Sequence, residues 1–197
     1  MQGHLRVLYL DGVHFSIRHG DKVDATIILT ALGVDLAGNK EVVALRACAE
    51  EDKDGWACLL QDLRTRGATQ IDLIVTDGHD GLLAAVRELF AATPRQRCLV
   101  HKQRNVLNAI PRRERSDVQA ELVGIWDQPS KQEAVMQLAA FKAKYRQRYP
   151  EAVRSLTEDE EHLFTFYEFP ASLHRHMQTT NAIESLAEQC EATYRSD

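Results

Sequence analysis

Two hydrophobic periodicities divide the chain. Residues 5–10 (LRVLYL) form a short apolar run rich in strand formers, and beyond Asp11-Gly12 the segment 14–18 alternates with period two. His19-Gly20-Asp21 is a turn signal, 25–34 (ATIILTALGV) reads as a second strand buried on both faces, and 36–39 turns the chain into a third strand at 41–48. Short turns make an antiparallel meander the simplest arrangement. The period then lengthens. Asp54 can cap a helix running to Arg66, with Trp56, Leu59, Leu60 and Leu63 on one face and Gly67 ending it. A fourth strand is expected at 71–75, a helix at 80–90, a short fifth strand at 97–100 and a helix from His101 to Ile110.

This order, β-β-β-α-β-α-β-α, is that of the ribonuclease-H-like fold, an α/β architecture with a mixed five-stranded sheet and flanking helices. The later β-α-β steps require right-handed crossovers. From Pro111 onward the pattern is helical, over 114–126, 131–147, 158–168 and 179–193, with Pro129, Pro150 and Pro170 between. We therefore expect a first part of the core at 1–110, an all-helical insertion at 111–176 and a returning helix at 177–197. Trp126, Leu138, Phe141, Leu163 and Phe166 are the expected apolar cluster of the insertion.

Composition changes this picture little. The hydrophobic fraction of 44% and charged fraction of 27% suit an ordinary folded chain, and 197 residues can bury a core without staples. No apolar run approaches membrane-spanning length and the start lacks signal-peptide character, so the cytoplasm is the expected compartment. Cys48, Cys58, Cys98 and Cys190 are scattered without a CxxC pair and read as reduced thiols. The net charge of −5 argues against a free-standing DNA-binding module, not against a DNA-cutting core. Basic residues concentrate at 95–115, where Arg97, Lys102 and Arg104 are the chosen phosphate contacts.

Three acids stand where the fold would gather them. Asp11 is expected at the end of the first strand and Asp77 at the end of the fourth, which are central neighbours in such a sheet. Glu184 lies on the last helix. Asp11-Gly12 and Asp77-Gly78 are each ordinary turn signals taken singly, and Asp80 could cap the following helix. Together they have another reading. Side-by-side carboxylates repel, and a hard divalent cation with oxygen ligands offsets that repulsion. A third carboxylate completes a site for two cations about 4 Å apart, suited to phosphodiester displacement.

The segments LYLDG at 8–12, VTDGHDGL at 75–82, QRCLVHKQRN at 96–105 and TTNAIES at 179–185 resemble the mutator-type bacterial insertion-sequence transposases of the DDE superfamily. FYEFP at 166–170 resembles the family as well, and the likeness covers nearly the whole chain. The resemblance implies that the acidic triad falls on Asp11, Asp77 and Glu184, holding two Mg2+ or Mn2+ ions. It implies accessory roles for Cys98, His101 and Asn181. His79 reads as a surface residue or a support behind the ligands. The implied partners are DNA, as transposon ends and as target, and further copies of the chain in an active homo-oligomer. The implied chemistry is hydrolysis at a transposon end followed by attack of the freed 3′-hydroxyl on target DNA.

Family members are longer, beginning with a helical region that recognises transposon ends and continuing after the glutamate with a basic run. Neither is in this sequence, so a fragment truncated at both ends, unable to transpose alone, is the expectation. Two rival functions stay open. One is a ribonuclease-H-like nuclease acting on RNA–DNA hybrids or junctions. The other is a catalytically silent protein that binds and inhibits a full-length transposase.

Overall fold

The computed structural model describes residues 3–19 and 22–194, with side chains at 3–15 and 25–187. Gly20 and Asp21 of the expected turn, and the Cys190 thiol, lie outside the described residues. Cys48, Cys58 and Cys98 are free thiols.

Five strands, β1 (His4–His19), β2 (Lys22–Val34), β3 (Lys40–Cys48), β4 (Gln70–Thr76) and β5 (Arg95–Arg97), form one sheet in the order β3-β2-β1-β4-β5. β1 and β2 pair antiparallel, as do β2 and β3, while β1 and β4 run parallel. This is the mixed sheet of the ribonuclease-H-like fold, and helices flank it.

The chain forms two compact units, residues 1–95 with 180–197, and residues 96–179. In the first, α1 (Lys53–Thr65) and α2 (Asp80–Leu89) cover one sheet face. α1 begins where Asp52 Oδ1 accepts the Gly55 N–H at 2.7 Å, two residues before the expected cap. It ends in a Schellman arrangement: Ala68 N–H reaches Leu63 O and Gly67 N–H reaches Arg64 O, with Gly67 at φ 100°. Its apolar stripe, Trp56, Leu59, Leu60 and Leu63, packs with Leu8, Leu10, Leu29, Ile74, Leu82 and Val86 into the main core. Each such side chain contributes about 1.5–3 kcal/mol through burial.

Four boundaries differ from the sequence reading. β1 does not stop at Asp11 but continues to His19, because β2 pairs with it along its length, from Val7↔Val34 to His19↔Lys22. Asp11 therefore lies inside a strand, opposite Thr30. β5 occupies Arg95–Arg97 rather than 97–100, and Leu99 and Val100 already belong to α3 (Leu99–Asn108), with Cys98 as N-cap. Pro150 does not separate helices but opens α6 (Pro150–Thr157), where the first turn needs no N–H from it. The expected helix at 158–168 is instead two 3-10 turns, Glu160–His162 and Thr165–Glu168.

The second unit contains α3, α4 (Arg115–Trp126), α5 (Lys131–Tyr145), α6 and α7 (Ala171–Met177). Trp126, Leu138, Phe141, Leu163 and Phe166 are all buried in it. Gln96 organises its centre: its Nε2 donates to Leu163 O at 3.1 Å and its Oε1 accepts from Phe166 N at 3.0 Å. α8 (Asn181–Tyr194) belongs to the first unit.

The start of α2 approaches the start of α1 so closely that a Cβ on Gly81 would stand 2.8 Å from both Asp52 C and Lys53 N. Both atoms are backbone and cannot swing aside. Gly81→Ala is therefore expected to lower unfolding free energy by about 1–3 kcal/mol, the usual cost of overpacking. Urea denaturation, read as a lower midpoint at unchanged slope, checks it.

Candidate active site

In the parallel β1–β4 ladder, Leu10 pairs with Thr76. Asp11 and Asp77 are the next residue on each chain. Side chains alternate along a strand, so Tyr9 and Asp11 share a face with Val75, while Leu8 and Leu10 join Ile74 on the opposite, helix-covered face. The register therefore brings Asp11 level with the end of β4, where Asp77 follows in the exit turn. Tyr9, on that face, is deeply buried, and desolvation pushes its phenol up to about 12. It remains protonated and adds no charge there at neutral pH.

Asp11 is 4% exposed. Asp77 is half-buried, just past the end of β4, where Gly78 takes φ 87°. Asp77 Oδ1 accepts the His79 N–H at 2.9 Å, which fixes the carboxylate to its own turn. His79, not Asp80, is the N-cap of α2, and it makes no side-chain cap bond. Its ring Nδ1 stands 3.6 Å from Glu51 Oε1.

The third acid arrives on α8. Tyr9 pairs with Leu32 across β1 and β2, so Leu32 shares the Asp11 face. Ala182, Ser185 and Leu186 border Leu32 and Val42, and Ile183 is buried, which lays the first turn of α8 over that face. Glu184 sits in this turn, where a helix N-terminus favours negative charge. A carboxylate oxygen of Glu184 and one of Asp11 lie within 4.8 Å of each other. Among the described residues Asp77 does not join that close grouping. Asn181 opens α8 and is exposed.

The other expected residues belong to the helical unit. Cys98 is fully buried, and its Sγ lies 3.2 Å from His101 Nδ1 across the first turn of α3. Of the three residues expected to contact phosphate, Arg104 is exposed, whereas Arg97 and Lys102 are buried. Lys102 Nζ donates to Ser155 O at 2.7 Å and Glu158 O at 2.6 Å, satisfying carbonyls at the end of α6. This places the expectation of phosphate contact on Arg104. Glu51, which the sequence pattern does not single out, stands in an acidic run at 50–52 that reads as a solvated loop. Its side chain is nevertheless only 10% exposed.

The mixed sheet in the order β3-β2-β1-β4-β5, with helices flanking it, defines a ribonuclease-H-like fold. The comparison with known proteins is more specific. The family model described as Transposase, Mutator family, matches residues 2–196. The chain belongs to that family. Among similar proteins are the transposase for insertion sequence element IS6120 of Mycolicibacterium smegmatis, 39% identical over 90% of this chain and 54% of that protein, and the transposase for IST2 of Acidithiobacillus ferrooxidans, 40% identical over 80% and 54%. The ISRM5 transposase of Rhizobium meliloti is 33% identical over 92% of this chain and 46% of its own length. The chain thus spans about half the length of the curated relatives it matches. Among solved structures, a chain in the cryo-EM structure of the simian T-cell lymphotropic virus intasome with PP2A regulatory subunit B56 gamma is 12% identical, covering 68% of this chain and 47% of that one at a TM-score of 0.33. A likeness that slight carries nothing further. Among the described residues, no helix is long and apolar enough to cross a membrane.

Lys102 and Arg104, two residues apart on α3, are expected to separate cleanly on substitution. Lys102→Met removes the donor to two carbonyls and should cost about 1–3 kcal/mol of stability. Arg104→Ala, at an exposed position, should lower the unfolding free energy less than Lys102→Met does. The two denaturation curves, measured side by side, check this.

Proposed function

We propose that this chain carries the catalytic carboxylates of a DNA transposase, with Asp11, Asp77 and Glu184 as ligands of Mg2+ or Mn2+, two ions in the working site. The observation that carries the reading is the approach of the Asp11 and Glu184 carboxylates, with Asp77 following the β4 residue that pairs with Leu10. The three proposed ligands are carboxylates, hard oxygens that suit these cations. Family membership and the names of the relatives support the same chemistry.

When bound, the cations would activate the attacking oxygen and offset charge developing on the phosphate. The carboxylates hold and space them. Asp11 is fixed by its place within the ladder, Asp77 by its bond to the His79 amide, and Glu184 by the buried Ile183 beside it. Arg104, exposed on α3, would contact the DNA backbone, and Cys98, His101 and Asn181 would serve as accessory residues. The substrate is DNA at an insertion-sequence end, cleaved by hydrolysis and then joined to target DNA. We read 111–176 as a helical insertion within this core, and further copies of the chain as partners in the active assembly.

The test combines cleavage with stability. With end DNA of the encoding element and Mg2+ or Mn2+, Asp11→Asn, Asp77→Asn and Glu184→Gln should each slow cleavage by about 10²-fold or more, the scale seen when one charge-stabilising group is lost. Added Mn2+ should raise the melting temperature of the parent alone. Cleavage that survives all three substitutions would overturn the proposal.

A further inference from the structure

Glu51 ties together three segments that meet beneath the carboxylate face. Its Oε1 accepts the Trp56 indole N–H at 2.9 Å, and Trp56 is fully buried in α1. The same oxygen stands 3.6 Å from His79 Nδ1. Its Oε2 occupies the space over Gly12: a Cβ built there would lie 2.6 Å from that oxygen and 2.9 Å from the carboxyl carbon. Gly12 follows Asp11 in β1, and the His79 amide is the donor to Asp77 Oδ1.

Chain alternation puts this carboxylate on the opposite face from Asp11. Gly12 continues the row of Leu8 and Leu10, which faces α1 and α2. Glu51 is thus not placed to be a further metal ligand. It stands behind both acids. Its immobility has a clear source, since the indole N–H holds one oxygen and the missing side chain at residue 12 makes room for the other. A carboxylate only 10% exposed needs such partners, and solvent alone does not account for it.

Resting on the reading of Asp11 and Asp77 as metal ligands, we propose that Glu51 is a positioning residue. It braces the β1 backbone at Gly12, beside Asp11, and it orients His79 so that the His79 amide holds Asp77. Groups that orient metal ligands from behind typically alter affinity or activity by 10-fold to 100-fold when removed. Trp56, Gly12 and His79 form one device with Glu51.

The experiment uses the full chain and the variants Glu51→Gln, His79→Ala, Gly12→Ala and the double variant Glu51→Gln/His79→Ala. The first readout needs neither metal nor DNA. Hydrogen exchange of the His79 amide should quicken about 10-fold in Glu51→Gln, while amides in the middle of β4 keep parental protection. The second is Mn2+ binding followed by its electron paramagnetic resonance. Apparent affinity should fall at least about 10-fold in each single variant, with a changed line shape, and the double variant should fall no further than the weaker single. Gly12→Ala, which displaces the carboxylate without removing it, should reproduce Glu51→Gln. Parental His79 exchange in Glu51→Gln would overturn the brace, as would losses that multiply in the double variant. General unfolding is recognised by lost protection throughout β4, and a loss of Mn2+ binding explained wholly that way would also overturn it. If Asp11→Asn binds Mn2+ like the parent, the metal-ligand reading itself fails. The His79 exchange result is then still informative, so the two failures remain distinguishable.

Discussion

The register of the β1–β4 parallel ladder is the constraint on which the site depends. Because Leu10 pairs with Thr76, the residues that follow them, both aspartates, come at the same level of the sheet. A slip of one residue would turn one of them toward α1 and α2, into a core of Leu8, Leu10, Ile74 and Trp56. The apolar residues on the helix-covered face therefore hold the acids in place: the hydrophobic pattern that folds the sheet also orients its charges.

The surrounding elements follow from that arrangement. β2 pairs with β1 from Val7 to His19, so Asp11 is embedded within a ladder rather than exposed on a strand tip. α8 covers the same face through Ile183 and its neighbours and delivers Glu184 from its first turn. Beneath, α1 and α2 start close together, and the closeness at Gly81 and the open space at Gly12 are both occupied by the 51–53 segment.

Much of this was legible in the residues. The alternation of β1–β3, the helical stripe of Trp56, Leu59, Leu60 and Leu63, and the Asp-Gly exits from two apolar runs led to the element order and to both aspartates. What was hidden depends on contacts remote in sequence. The length of β1 is set by its pairing with β2, so Asp11-Gly12 looked like a turn when it lies within a strand. The acceptors of Lys102 lie 53 and 56 residues away, so a buried cation looked like a phosphate contact. Glu51 is defined by Gly12, Trp56 and His79, from three separate segments, and no local pattern marks it. The two 3-10 turns after α6 replaced an expected helix because that apolar run feeds the Gln96-centred core rather than one helix face.

The central claim is that Asp11, Asp77 and Glu184 jointly hold divalent cations. Anomalous diffraction from crystals of the full chain soaked in Mn2+ tests it most directly. The helical unit supplies an internal competitor, because Asp159, Glu161 and His162 also bring ligand atoms within 4.8 Å of one another. The account predicts manganese peaks coordinated by Asp11, with Asp77 and Glu184 completing the ligands, and none of comparable height at the 159–162 cluster. Manganese at that cluster or elsewhere, with no peak at Asp11, would contradict it.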